Sequence, residues 1–106
     1  NSISVQKIDP KAFTNRHLYP IFINKKKTDI SREELINKLK ENNIGTSVHY
    51  VPIHHHSAYK RSLEINENDF QITNDVYERM LSLPLYPKMT KEDVSRVASK
   101  VIEIVS

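Results

Sequence analysis

The chain has 106 residues, with 16 Lys and Arg against 13 Asp and Glu for a formal net charge of +3; 38% of its residues are hydrophobic and 27% charged. This is the make-up of one globular domain with a modest core. It contains no Cys, which excludes a disulfide framework and a cysteine zinc site, and its single glycine, Gly45, excludes a Walker loop or a dinucleotide fingerprint.

The chain opens Asn1-Ser2-Ile3 without an initiator Met, as a piece of something longer would. Residues 1–12 are expected to be an irregular lead-in that runs on to about Arg16. A strand follows at His17-Leu18-Tyr19-Pro20-Ile21-Phe22-Ile23, rich in aromatic and β-branched residues. Pro20 lacks an amide donor, so the strand is expected at an edge or with a bulge. After a charged turn, Ser31-Arg32-Glu33-Glu34 reads as a capping box. Leu35, Leu39 and Ile36 give the apolar stripe of the helix it opens. Gly45 suits the left-handed position after that helix.

Gly45 to Val51 is the next strand candidate, ended by Pro52. His54 to Lys60 reads as a loop or one helical turn, and 61–69 as polar loop. A second helix is expected from about Ile72 to Leu81, capped by Thr73 or Asn74, with Val76, Met80 and Leu81 inward and Tyr77 beside them. Leu83-Pro84-Leu85-Tyr86-Pro87 is a rigid apolar segment whose N-terminal half is extended. The last helix is expected to be capped by Thr90, with Asp93 in its first turn, and Val94, Val97, Ala98, Val101, Ile102 and Val105 follow the i, i+3, i+4, i+7 rule.

Strand, helix, strand and two further helices predict an α+β fold: a two-layer sandwich with a small, mostly antiparallel sheet and helices packed on one face. No apolar run approaches the ~18 residues of a membrane span, and no basic-then-apolar leader opens the chain. A cytoplasmic setting with no membrane partner is expected. Beyond the run Lys25-Lys26-Lys27, acids are spread among the basic residues, so the run reads as a solvated loop and no nucleic-acid partner is expected; an anion- or RNA-binding domain using these lysines is the competing reading.

Four of the five histidines fall in His49-Tyr50-Val51-Pro52-Ile53-His54-His55-His56. Imidazole serves as proton carrier, hydrogen-bond partner and metal ligand. His49, His54 and His56 could bind a transition ion, but adjacent histidines diverge in extended backbone and no nearby acid completes a tetrahedral set. The default for any one histidine is a solvated turn after a strand, and His55 and His56 are read so. In a third reading the strand end presents His49 or Tyr50 to a site, the two facing opposite ways if extended. A free-standing histidine-cluster module for a metal or small ligand is therefore one reading of the whole chain.

The stretch Asn43-Ile44-Gly45-Thr46-Ser47-Val48-His49-Tyr50-Val51-Pro52-Ile53-His54 resembles a segment of the PLP-dependent sugar aminotransferases of the DegT/StrS type. These are fold type I enzymes whose small C-terminal domain carries a glycine-led strand ending in His-Tyr-x-Pro-x-His. His17-Leu18-Tyr19-Pro20-Ile21 is similar to the strand that opens that domain. Leu81-Ser82-Leu83-Pro84-Leu85-Tyr86-Pro87 is similar to its Leu-Ser-Leu-Pro-x-x-Pro segment, and Thr90-Lys91-Glu92-Asp93-Val94 to the start of its last helix. The four stretches fall in register over residues 13–105.

The resemblance implies that residues 1–106 are one domain, the C-terminal small domain of a longer enzyme. That enzyme would move an amino group from an amino acid, commonly glutamate, to a nucleotide-linked keto-sugar in polysaccharide biosynthesis. It further implies a missing N-terminal domain that supplies the pyridoxal 5'-phosphate lysine, and a homodimeric parent. No cofactor is expected on this chain, and no catalytic residue. His49, Tyr50, His54 and, more weakly, His17 are the residues it points to as substrate-binding. His55 and His56 extend beyond the usual pattern and have no implied role.

Overall fold

The computed structural model describes residues 1–106, the side chain of Glu67 excepted. The fold is α+β. Three strands, β1 (Ile3–Val5), β2 (Tyr19–Ile23) and β3 (Met80–Leu83), form an antiparallel sheet in the order β1-β2-β3. Four α-helices accompany it: α1 (Arg32–Glu41), α2 (Ser57–Leu63), α3 (Gln71–Arg79) and α4 (Lys91–Val105).

The expected irregular lead-in is corrected by β1. Ile3, Ser4 and Val5 pair with Ile23, Phe22 and Ile21, a short edge strand whose three residues are too few to show a period in sequence. As a result β2 is the central strand, and Pro20 does not mark an edge. Ser82, opposite Pro20 on β3, exchanges both its backbone hydrogen bonds with Ser47 on its far side. Pro20 and Ser82 are therefore a non-hydrogen-bonded pair, and the proline nitrogen faces the β1 side. There β1 has already ended opposite Ile21, so the missing donor breaks no ladder bond.

The expected strand over residues 45–51 reduces to one antiparallel bridge, Ser47 with Ser82, closed by bonds of 3.1 and 2.7 Å. The next hydrogen-bonded pair on one side would need an amide from Pro84, which has none. The helix expected to reach Leu81 stops at Arg79, and Met80 and Leu81 belong to β3. Val76 and Met80 share the helical i, i+4 spacing, which disguised the change of element. Asn74 lies inside α3 rather than at its cap. Residues 61–69 are not plain loop: α2 runs to Leu63, and a 3₁₀ turn spans Glu67–Phe70.

The expected capping box at Ser31 forms, and Thr90 makes a second. The Ser31 hydroxyl accepts from the Glu34 amide and Glu34 Oε2 accepts from the Ser31 amide at 2.8 Å, opening α1. Thr90 and Asp93 do the same for α4. The α1 exit corrects the role given to Gly45. The left-handed residue is Asn43, at φ 56°, and Gly45 has no positive φ. The Asn43 amide donates to the Lys40 carbonyl and the Ile44 amide to that of Leu39. This is a Schellman ending, with Ile44 folding back into the core.

The core joins one sheet face to two helices. Ile21, Ile23 and Leu81 meet Leu35 and Leu39 of α1 and Val97, Val101 and Val105 of α4. Each fully buried aliphatic side chain contributes roughly 2 kcal/mol of transfer free energy. The α4 stripe is narrower than its sequence implies, because Val94, Ala98 and Ile102 on its flank are exposed. Alternation along β3 puts Ser82 on the opposite face from Leu81. Among the described residues no helix is long and apolar enough to cross a membrane.

Candidate functional site

The histidine cluster divides into two groups. The first lies on the sheet face opposite the core. His49 follows the Ser47 bridge, and its Nδ1 is 3.0 Å from the Ser82 hydroxyl. Ser82 is itself only 4% exposed. His17, held before β2 by its amide donating to Asn15 Oδ1 at 3.1 Å, lines the same cleft as Ser47, His49 and Ser82. The cleft is open and holds about 190 Å³, below the ~300 Å³ at which ligand pockets begin. It is the size of one wall of a site.

Tyr50 stands beside this group, 72% exposed. Its ring meets that of His49 edge-on, centroids 4.9 Å apart at 74°, across a cis peptide bond. The two side chains are thus neighbours, not the opposite-facing pair that an extended strand would give.

The second group is tied to α3. His54 is 4% exposed, because a 3₁₀ turn over Ile53–His55, entered from Pro52, tucks it under Phe70. The two rings stack at 4.4 Å and 16°. His54 Nε2–H donates to Asn74 Oδ1 at 2.7 Å, and His55 Nε2–H donates to the same oxygen at 2.9 Å. A carbonyl oxygen only accepts, so both rings carry their proton on Nε2. His55 also meets Tyr77 edge-on, with the Arg32 guanidinium 4.6 Å over that ring and donating to the Tyr77 carbonyl. His54 therefore does not share the cleft with His49. His56 is exposed. Among the described residues no three His, Cys, Asp or Glu side chains gather as a metal set, and the Nε2 atoms of His54 and His55 are engaged by Asn74.

Sequence reasoning missed Ser82 and Asn74 as partners of the histidines. Ser82 was readable as the one polar residue between Leu81 and Leu83. Asn74 carried no signal beyond its capping propensity.

A family model for the DegT/DnrJ/EryC1/StrS aminotransferases matches residues 1–102. The chain belongs to the DegT/DnrJ/EryC1/StrS aminotransferase family. It is 46% identical over 90 residues to the spore coat polysaccharide biosynthesis protein SpsC of Bacillus subtilis, covering 84% of this chain and 23% of SpsC. Two solved structures place the same fold within larger chains. DesV of S. venezuelae, in complex with a ketimine intermediate, superposes with a TM-score of 0.86 at 25% identity, over 100% of this chain and 27% of DesV. The PLP-form of Spr1654 from Streptococcus pneumoniae gives 0.82 at 25%, over 99% and 27%. The chain thus spans about a quarter of the length of the relatives it matches.

Members of the DegT/DnrJ/EryC1/StrS family use pyridoxal phosphate. A Schiff-base lysine works from a desolvated pocket. Every lysine of this chain is exposed except Lys100, which is half-buried and ion-paired to Glu103 at 2.6 Å. Gly45 alone offers no glycine-rich cradle for the phosphate. The residues of this chain do not fit the cofactor.

Proposed function

We propose that the chain is the C-terminal small domain of a sugar aminotransferase. The parent would transfer an amino group from an amino acid, commonly glutamate, to a nucleotide-linked keto-sugar destined for polysaccharide. The family match over residues 1–102 carries this reading, and the name of SpsC supports the polysaccharide setting. In this reading the rest of the polypeptide supplies the cofactor lysine and phosphate cradle that this chain lacks. The parent would work as a cytoplasmic homodimer.

His49, Tyr50 and His17 would form one wall of the sugar site. Each offers a hydrogen-bonding group to hydroxyl, carbonyl or phosphate oxygens, and holding the ketone in register is the entropic share of catalysis. His54 would act from behind, fixing the 49–53 segment to α3 through Asn74. Removing the His49 side chain should weaken keto-sugar use without abolishing cofactor binding. The test is the full-length polypeptide, purified and assayed with glutamate and a nucleotide-linked 4-keto-sugar. Cofactor absorbance and release of 2-oxoglutarate are expected. Full-length protein that shows neither overturns the proposal.

A further inference from the structure

We infer that Ser82 is a positioning residue for His49, setting its tautomer so that Nε2–H is turned to the cleft as a donor to a substrate oxygen. The inference rests on the reading of His49 as a substrate-binding group.

Three observations carry it. The Ser82 hydroxyl is buried with its residue, 4% exposed, and among the described residues His49 Nδ1, at 3.0 Å, is its hydrogen-bond partner. A proton on Nδ1 would make the hydroxyl accept and would leave its own O–H buried without an acceptor. The satisfied arrangement has the Ser82 O–H donating to Nδ1, which puts the proton of the neutral ring on Nε2.

Next, Ser82 cannot drift. Its amide donates to the Ser47 carbonyl at 2.7 Å and its carbonyl accepts from the Ser47 amide at 3.1 Å, while Pro20 lies opposite on the central strand. The backbone that carries the hydroxyl is thus held in the sheet by Ser47. Finally, among the described residues His49 Nε2 has no hydrogen-bond partner, and His49 lines the cleft with His17. One ring nitrogen is thus anchored and the other is available. A single fixed N–H donor selects an acceptor oxygen, such as a sugar hydroxyl, keto oxygen or phosphate, over an ammonium group.

Two measurements on the full-length enzyme test this. Long-range proton–nitrogen spectra of histidine-labelled wild type should give His49 the Nε2-protonated neutral pattern. An Nδ1-protonated ring overturns the inference without any variant. The second is a double-mutant cycle on keto-sugar kcat/KM. Ser82→Ala should cost about tenfold, the scale of one well-placed hydrogen bond, and should cost nothing further in a His49→Ala background. Equal losses in both backgrounds mean that Ser82 acts as packing alone and sink the inference, leaving the role of His49 intact. A His49→Ala enzyme with unchanged keto-sugar kinetics removes the reading of His49 and the inference with it.

Discussion

Asn74 has one side-chain oxygen, and two imidazoles donate to it. Replacing it by alanine leaves the nearly buried His54 ring without that acceptor, a loss worth roughly 1–3 kcal/mol. The cost is local, so it should appear as faster amide exchange over residues 53–63 of the full-length protein, by about fivefold to a hundredfold; unchanged exchange there would mean that stacking on Phe70 suffices. Asn43 and Gly45 make a sharper pair. Asn43 sits at φ 56°, so Asn43→Ala should destabilise by about 1 kcal/mol while Asn43→Gly is tolerated. Gly45 lacks a positive φ and a Cβ there would meet nothing within 4 Å, so Gly45→Ala should be neutral or slightly stabilising. Thermal unfolding of the three variants gives the order; the reverse order would restore Gly45 to the helix exit.

Elements were legible where the local rules were complete. The box at Ser31, the N-cap at Thr90 and the valines of α4 needed no tertiary information, and both helices formed where their caps placed them. The four family stretches likewise fixed which segments belong together. The sheet was less legible. β1 is too short to show alternation, Pro20 is central because its partner pairing is non-hydrogen-bonded, and β3 begins where a helical spacing continues through Met80. Each depends on a neighbour far along the chain. The site was half legible for the same reason: residue types marked the histidines, but only packing separates His49 from His54. The boxes also make a pH prediction. Backbone and then hydroxyl hydrogen bonds from Ser31 hold the Glu34 carboxyl below its ordinary 4.5, and those from Thr90 hold Asp93 below 3.8. A depressed carboxylate stabilises above its ordinary value, and the contribution fades as pH falls through the depressed one. Acid titration of Glu34→Gln and Asp93→Asn variants should therefore show a shallower loss of helix below about pH 4; a loss as steep as wild type would count against the caps as its source.

The whole molecule has a radius of gyration of 15.8 Å, where a compact domain of this length would have about 13 Å. The excess accompanies apolar surface without cover: Tyr50, Ile53, Leu63 and Ile72 on one stretch, and Val94 and Ile102 along α4, are all more than half exposed. In the proposed parent the remaining three quarters of the polypeptide would cover part of it. The chain alone should therefore self-associate, with sedimentation showing mass that rises with concentration; a monodisperse monomer at high concentration would argue that it is self-sufficient. The edge strand adds a practical consequence for anyone choosing where to cut the gene. β1 ends at Val5, and a start site placed just beyond it would look harmless on a hydropathy plot. It would strip the cover from the backbone of Ile21 to Ile23 and turn the centre of the sheet into an open rim, ready to recruit the first passing strand.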